Sequence, residues 1–342
     1  MAGNFVQLHN HTHYSLLDGA SKVPDLVKRV KELGMPAVGI TDHGNMHGAY
    51  ELWRAAVDSG VKPIIGIEAY VTPETARQDK TRVSWDTNWT PVPGHARNPD
   101  DVSGGGLITH LTMWAENDEG LVNLIKASSV ANLEGRVMRY PRMDKEVLST
   151  YSKGVIASSG CPSGIIQTRL RLGQFDEALR AAGEFQDIFG KDNFYIELMD
   201  HGLSIESKVT GDLLTIAKKL GAPLLATNDS HYVMEADKDA QDAMLCINSG
   251  ATLDDPNRFK FEGSGYYIKS AEEMRELFKD HPDACDNTLE IAERCNVIFD
   301  DHEDGAFMPQ FDCPEGWDET SLFLKKVEEG LEKRYDGNPP ME

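Results

Sequence analysis

The strongest constraint on the fold is a regular alternation of short apolar runs with stretches of helical periodicity. Seven apolar runs are predicted as strands, at 5–11, 37–41, 63–71, 107–114, 154–158, 194–199 and 223–227. Between them, apolar residues recur at the spacing of one helix face over 21–33, 45–58, 119–132, 175–189 and 205–220. Ser21 is a predicted N-cap and Gly34 a predicted helix stop. Since parallel strands need helical crossovers, this rhythm predicts a parallel sheet that closes, or nearly closes, into a barrel.

Two stretches depart from the alternation. Residues 73–106 are rich in Pro, Gly, Asp, Asn and Arg and are predicted as a long insertion loop, which in a compact domain is usually functional or mobile. Beyond residue 270, helices are predicted at 271–278 and 284–295 without intervening strands. The fold class expected is therefore α/β, a distorted (β/α)7 barrel over 1–270 with a mainly helical extension over 271–342.

Side chains that can bind a metal collect where the predicted strands end, which is where an α/β barrel carries its functional residues. They are His9, His11, Asp18, His43, Glu68, His110, Cys161, Asp229 and His231. Residues two apart on a strand share a face, so His9 converges with His11, and Asp229 with His231. Each residue alone has an ordinary explanation as a buried or ion-paired core residue. Their coincidence on one predicted face indicates a metal site.

The mixture of ligand types indicates which metals fit. Imidazole, carboxylate and one thiolate suit Zn²⁺, Mn²⁺ or Fe²⁺ and argue against Mg²⁺ or Ca²⁺ alone. Nine ligands exceed one tetrahedral site, so two or three ions are expected. Such a cluster activates water near neutral pH and supplies positive charge for an anionic substrate, which predicts phosphoester hydrolysis.

The charge balance restricts how a phosphate-bearing substrate can be held. With 34 Lys+Arg against 56 Asp+Glu, the formal net charge is −22. An extended basic surface for nucleic acid is therefore excluded, and phosphate must be held locally, by metal ions or a few cations. Lys22, Arg97 and Arg136 are conceivable phosphate contacts, although a solvated surface position is the interpretation we favour for each.

The cellular location is predicted from the absence of membrane-spanning, secretory and disulfide patterns in the sequence. It has no run of about 18 uncharged apolar residues, so no membrane span is expected. The N-terminus has no basic stretch followed by an apolar one, which argues against a signal peptide. The five cysteines are scattered, with no C-x-x-C, which indicates a reducing cytoplasmic location.

Several segments together resemble the PHP (polymerase and histidinol phosphatase) domain. They lie at 8–11, 15–19, 41–44, 66–70, 159–164 and 228–232. Beyond the barrel, segments 261–263, 267–274 and 291–295 are similar to the N-terminal part of bacterial replicative DNA polymerase III alpha subunits, and are not expected in stand-alone phosphatases. The resemblance implies a PHP barrel over 1–270, with 271–342 as the start of the polymerase palm region.

The resemblance also implies three metal sites. The first would use His9, His11, Glu68 and Asp229; the second Glu68, His110 and Cys161; the third Asp18, His43 and His231. Asp229, Glu68 and His11 are the residues expected to act in catalysis. One departure from the family pattern is His13, a further nearby imidazole that leaves the exact ligand choice open.

Family members with the full ligand set resemble 3′→5′ exonucleases that remove misincorporated nucleotides. The resemblance therefore implies a proofreading module that acts on single-stranded or frayed 3′ ends of DNA. The implied partners are the remainder of the polymerase chain and, through it, replisome components such as the sliding clamp, with no membrane. The palm carboxylates of such polymerases lie beyond residue 342, so the chain is expected to be a fragment that binds DNA weakly by itself.

Two other functions remain open. Metals can stabilise a fold without turnover, so the domain could serve as a structural scaffold of the polymerase. A small-molecule phosphomonoesterase is the third candidate, and the segments beyond the barrel argue against it.

Overall fold

The computed structural model describes residues 4–16, 18–86, 88–90, 98, 100–101, 104–299 and 310–336. The chain divides into two compact units, Met1–Phe299 and Asp300–Glu342. Arg97 and much of the second half of the predicted insertion lie outside the described residues.

Strands and helices alternate through the first unit, as the sequence predicts. Its described strands are β1 (Ala37–Ile40), β2 (Lys62–Val71), β3 (Thr109–Ala115), β4 (Arg142–Met143), β5 (Val155–Ser158), β6 (Phe194–Leu198) and β7 (Leu224–Ala226). Its described α-helices are α1 (Val23–Glu32), α2 (Ala49–Ser59), α3 (Asp118–Glu134), α4 (Lys145–Thr150), α5 (Ile165–Arg171), α6 (Phe175–Phe189), α7 (Ser204–Leu220), α8 (Lys238–Ser249), α9 (Ala271–Leu277) and α10 (Pro282–Arg294). In the second unit, α11 (Glu319–Tyr335) begins after Asp318, whose carboxylate accepts a hydrogen bond from the Ser321 amide at 2.7 Å.

The strands form one mixed sheet in the order β1-β2-β3-β5-β6-β7, and β4 pairs with β2. The α/β fold class and the distorted barrel are confirmed, but the prediction of a purely parallel sheet is wrong at β3. This strand is antiparallel to both β2 and β5. Because β3 is buried along nearly its whole length, its apolar run carries no signal of direction. The long connection from β2 also contains no described crossover helix.

The N-terminal segment lies between the two edges of this sheet. Gln7 O accepts a hydrogen bond from the amide of Gly39 in β1, and the His11 amide donates to Ser230 O after β7, each at 2.8 Å. The predicted strand 5–11 is therefore wrong as a continuous strand, since it pairs through isolated bridges. A local cause is Asn10, whose side-chain amide donates to the carbonyls of Gln7 and Gly39 that a regular ladder would use. The segment nonetheless closes the ring.

Helix ends differ from prediction where local side chains intervene. Ser21 does not cap α1, because Lys22 occupies the N-cap position without a side-chain bond. Helix α2 begins four residues later than predicted, since the Asn45 side chain accepts from the His47 amide and holds 45–47 as a turn. By contrast, α6 spans 175–189 as predicted.

Four of the described α-helices were not predicted individually: α4, α5, α8 and α11. Helix α5 shows why, because it is buried on every side, including Gln167, Arg169 and Arg171, and so has no apolar stripe.

The last two helices of the first unit close the end of the barrel where the parallel strands begin. In α10, the Asn287 amide donates to Leu224 O at the start of β7. Ile291 and Cys295 pack with Trp114 in an apolar cluster inside the ring. The compact unit thus continues to Phe299. The boundary at residue 270 between a PHP barrel and the start of a palm region stays a prediction.

No helix in the described part of the chain is both long and apolar enough to cross a membrane.

Candidate metal centre

The nine side chains singled out from the sequence lie together at one end of the ring. Glu68 projects from β2, and His43 follows β1 and bridges to Glu68. His110 is the second residue of β3 and so lies near the start of that strand rather than at its end. Since β3 runs opposite to its neighbours, its start lies at the edge where the parallel strands end, and this places His110 beside Glu68.

Glu68 is at the middle of the cluster and is 1% exposed. Its Oε2 lies 2.7 Å from His43 Nδ1 and 3.5 Å from His11 Nε2. Its Oε1 lies 3.2 Å from His110 Nδ1 and 3.5 Å from His9 Nε2. One carboxylate therefore faces four imidazoles, which is the arrangement of a bridging ligand.

Asp229 forms a second meeting point. Its Oδ1 lies 3.0 Å from His11 Nε2, 3.3 Å from His9 Nε2 and 3.7 Å from His231 Nδ1. The backbone of Asp229 has φ of 43°, in the left-handed region that non-glycine residues rarely occupy. Strain of this kind persists where surrounding structure fixes it, and here it aims the carboxylate at the histidines.

The remaining members extend the cluster to both sides. Asp18 Oδ2 lies 2.9 Å from His43 Nε2 and 3.9 Å from His231 Nε2. On the other side, Cys161 Sγ lies 3.3 Å from His110 Nδ1. All nine predicted residues thus belong to one connected network.

Three groups of ligand atoms are compact enough to hold an ion. They are His9–His11–Asp229, His43–Glu68–His110 and His11–His43–His231. Glu68 lies beside the first group, Cys161 beside the second and Asp18 beside the third, so each group shares at least two members with one predicted site. The assignment of ligands to individual ions stays a prediction.

Unsatisfied buried atoms indicate that the cluster fits a metal. Several buried polar atoms, although close to neighbouring ligands, form no hydrogen bond of acceptable geometry among the described residues. They are Asp18 Oδ1, both Glu68 carboxylate oxygens, Asp229 Oδ1, His43 Nδ1 and His231 Nε2. Leaving such groups unpaired costs about 1–3 kcal/mol each, or more when they are charged. Divalent cations with nitrogen, oxygen and sulfur ligands would satisfy them together.

The pKa values of His9 and His11 are shifted in opposite directions by their surroundings. Burial opposes the charge of His9, but Glu197 and Asp229 raise its pKa well above the usual value. For His11, burial and the neighbouring imidazoles of His43 and His231 lower the pKa to about 3. His11 is therefore neutral at pH 7, with a ring nitrogen free to bind a metal.

The acidic members are held ionised. Although burial opposes it, His110 and His43 keep the pKa of Glu68 well below its usual range. In the same way, His9 and His231 lower the pKa of Asp229 against the effect of burial. Burial, followed by the charge of Glu68, raises the pKa of the Cys161 thiol well above its usual value. A thiolate at Cys161 therefore requires a cation beside it.

Two supporting acids were missed by the sequence analysis. Glu197, fully buried in β6, accepts a hydrogen bond from His9 Nδ1 at 2.7 Å and so turns Nε2 towards the centre. Asp42 accepts from Ser15 Oγ at 2.8 Å, and Ser15 Oγ lies 3.0 Å from His11 Nδ1. An acid within an apolar strand was the signal used for Glu68, and the same signal would have found Glu197.

Three further polar residues lie apart from the centre. His13 is 39% exposed, and its ring lies 4.3 Å from that of Tyr14 in a tilted arrangement. His201 is buried but bonds to Glu206 and to Asn228 O, which is a structural role. Lys22 lines a separate surface cavity with Asp25 and Lys28.

The chain is similar to known proteins over most of its length. The PHP domain family model matches residues 7–201. The chain is 51% identical over 338 residues to DNA polymerase III subunit alpha of Mycobacterium leprae (strain TN), covering 98% of this chain and 28% of that protein. It is 39% identical over 335 residues to DNA polymerase III subunit alpha of Borreliella burgdorferi (strain ATCC 35210 / DSM 4680 / CIP 102532 / B31), covering 97% and 27%.

The chain thus spans little more than a quarter of the length of these curated relatives. Among solved structures, an amidohydrolase from Chromobacterium violaceum matches with a TM-score of 0.39 and 15% identity, over 66% of this chain and 87% of that one. With the family model matching more than half of its residues, the chain belongs to the PHP domain family.

Proposed function

We propose that this chain is the metal-dependent 3′→5′ exonuclease module of a replicative DNA polymerase III alpha subunit. The observation that carries the proposal is the convergence of nine metal-competent side chains around Glu68 and Asp229. The similarity to polymerase III alpha subunits over nearly the whole chain supports DNA as the substrate. The same similarity supports the remaining polymerase chain and the sliding clamp as partners, and the cytoplasm as the location.

The ligand chemistry supports two or three ions of Zn²⁺, Mn²⁺ or Fe²⁺, held by His9, His11, Asp18, His43, Glu68, His110, Cys161, Asp229 and His231. When bound, such ions supply an activated water and positive charge that stabilises a phosphoester under attack.

The protein's own contribution is to fix these ligands in the right protonation state. Asp229 Oδ1 is held between His9 and His11, so its carboxylate stays ionised and its position is fixed. Glu68 is shielded from water by burial, which strengthens every charge interaction around it. His11 keeps a neutral ring at pH 7. These three residues are the ones we propose to act in catalysis.

A decisive experiment measures bound metal and then digestion of two substrates. One is a primer with a mismatched 3′ nucleotide, and the other is a simple phosphomonoester. We expect the metal-loaded chain to shorten the primer from its 3′ end and Asp229→Asn to lose about 100-fold or more of that rate. Trimming that survives the substitution would exclude this site, and preference for the phosphomonoester would identify a phosphatase instead.

A structural scaffold is the second candidate, and one observation favours it. The cluster draws on segments from His9 to His231, so bound ions would tie the whole ring together. A metal-loaded, stable chain that hydrolyses neither substrate, also when supplied with the remainder of the polymerase, would support the scaffold and contradict the exonuclease.

A further inference from the structure

A cavity of about 430 Å³ opens directly onto the metal centre. Its lining includes Asp18 and His43 of the centre, together with Tyr70, Arg136 and Arg139. Of the described residues that line it, Asp18 alone is acidic, whereas the two arginines are exposed. In a chain with a net charge of −22, two guanidinium groups at the mouth of the site form a local exception.

Arg139 is separated from the centre by two aromatic rings. The Tyr70 ring lies 5.9 Å from that of His43, and the Tyr140 ring lies 5.0 Å from that of Tyr70. The Arg139 guanidinium lies over Tyr140 at 5.3 Å and donates to Asn248 Oδ1 at 2.6 Å. Because two rings intervene, Arg139 is placed for an anion further along the substrate than the one at His43.

Arg136 is available to an anion, since its guanidinium has no ion pair with any residue that the structure describes. An unpaired guanidinium beside a phosphodiester site is a typical phosphate contact, because its planar donors match the phosphate oxygens.

The turn that carries both arginines is held by backbone and side-chain hydrogen bonds. Val137 and Tyr140 exchange backbone hydrogen bonds at 3.0 Å, and Met138 between them has φ of 55°. The fully buried Arg142 donates from Nε to Gly135 O at 3.2 Å, which pins the start of the turn to the strand that follows it. Backbone strain of this kind clusters at functional sites, so it supports a role for this turn at the cavity.

We propose that Arg136 and Arg139 hold the phosphate next to the scissile one, so that the site binds a single-stranded oligonucleotide more tightly than a substrate with one phosphate. This proposal rests on the proposed exonuclease and names how that site recognises its substrate. Phosphate contacts position a strand without reading its bases, so recognition is independent of sequence. It also explains how an acidic chain can hold DNA through two local cations.

The test compares Arg136→Gln/Arg139→Gln with wild type on two substrates. One is an eight-residue oligothymidylate, and the other is bis(4-nitrophenyl) phosphate, which has a single phosphate. We expect the KM for the oligonucleotide to rise about tenfold with little change in kcat, and hydrolysis of the single-phosphate diester to stay unchanged. The matched control is Lys153→Gln/Lys191→Gln, which removes the same charge before β5 and β6, at the opposite end of the barrel.

A second readout does not depend on activity. The eight-residue oligothymidylate is labelled with a fluorophore, and its binding to metal-free protein is measured by fluorescence anisotropy over a range of salt concentrations. Losing two phosphate contacts should make the slope of log K against log salt shallower by about 1.4. The control variant should keep the wild-type slope.

The outcomes separate this proposal from the one on which it rests. If wild type hydrolyses neither substrate even when supplied with the remainder of the polymerase, the exonuclease proposal fails, while the binding slopes still decide the role of the arginines. Equal slopes for wild type and the double arginine variant would overturn the phosphate contact. An equal loss on both substrates would also overturn it, since the arginines would then not distinguish a second phosphate.

Discussion

Individual residues at this centre are controlled by partners that are not themselves ligands. His9 shows this most clearly, because Glu197 accepts from its Nδ1 and so determines which ring nitrogen faces Asp229 and Glu68. Glu197 also accepts from Ser158 Oγ and Thr227 Oγ1 and is therefore fully satisfied. Such an acid tunes a ligand without touching the ion.

Replacing this acid tests its positioning role. We expect Glu197→Gln to weaken metal binding about tenfold or more, because the amide is a poorer acceptor for the His9 ring. Competition with a chromophoric chelator measures the affinity directly. Glu290→Gln, on the exposed side of α10, is the matched control and should bind metal like wild type. Unchanged affinity in Glu197→Gln would show that His9 needs no such partner.

The sequence sufficed for residues whose chemistry stands out from their surroundings. His9 and His11 share a face by simple spacing, and Glu68 is an acid in an apolar strand. Ser15 could not be assigned its role, because its contacts to Asp42 and His11 depend on a loop conformation that no local pattern predicts. Arg136 looked like an ordinary surface cation until the fold placed it beside the centre.

At the scale of elements, close backbone approaches decide where segments can lie. Gly135, at the end of α3, is an example, because a Cβ there would lie 2.0 Å from Arg142 O. This contact joins α3 to β4 and supports the turn that carries the two cavity arginines.

A methyl group at this position should loosen the turn. We expect Gly135→Ala to lower the free energy of unfolding by about 1–3 kcal/mol, because the Arg142 backbone must move away. Gly211→Ala is the matched control within α7, where nothing lies within 4 Å of the added Cβ. There the substitution should raise stability by about 0.5–1 kcal/mol, and urea unfolding measures both. Equal effects at the two positions would contradict this account.

Ion pairs attach the start of the insertion to the helices beside it. Arg180 and Arg169 hold the pKa of Glu74 below its usual 4.5 against the effect of burial. A depressed carboxyl pKa gives stability that is present above pH 4.5 and is lost as the pH falls through the folded value. Glu74→Gln should therefore be less stable than wild type at pH 7, and the difference should shrink on acidification towards about pH 3.

Urea unfolding at the two pH values checks this prediction. Glu119→Gln, whose exposed carboxylate pairs with Lys153, is the control and should show little difference at either pH. If the difference in unfolding free energy between wild type and Glu74→Gln stays constant with pH, ionisation of Glu74 does not contribute to stability.

The sequence could not predict the direction in which each strand runs in the sheet. The apolar run of β3 has the same pattern in either orientation, so only its hydrogen bonds to β2 and β5 define it as antiparallel. The periodic amphipathic helices were predictable, as α6 shows, whereas the fully buried α5 was not.

For the whole molecule, the main consequence of the centre is that ligands from the entire ring converge on one point. Without cations, three carboxylates and several imidazoles must share a buried space with unsatisfied atoms. Bound ions would relieve this and would favour the folded state, so metal binding should contribute directly to stability.

Metal removal should therefore lower the melting temperature. At a free ion concentration about 100 times Kd, binding stabilises the folded chain by about 2.7 kcal/mol. Scanning calorimetry before and after chelation, followed by readdition of Zn²⁺ or Mn²⁺, measures the effect. Asp229→Asn should show a smaller shift than wild type. A melting temperature that does not respond to either ion would argue against a metal centre.

The N-terminal segment that closes the ring also has a consequence for how the protein is made. Asn10 pairs with Ser230, and His9 and His11 meet Asp229 only once that pairing exists. His9 and His11 are therefore synthesised long before almost the last part of the barrel, in which their partners lie. Contacts of such long sequence separation cost loop-closure entropy, which slows folding. The metal centre is thus complete only when both ends of the barrel have met, so an ion bound there would mark a finished barrel.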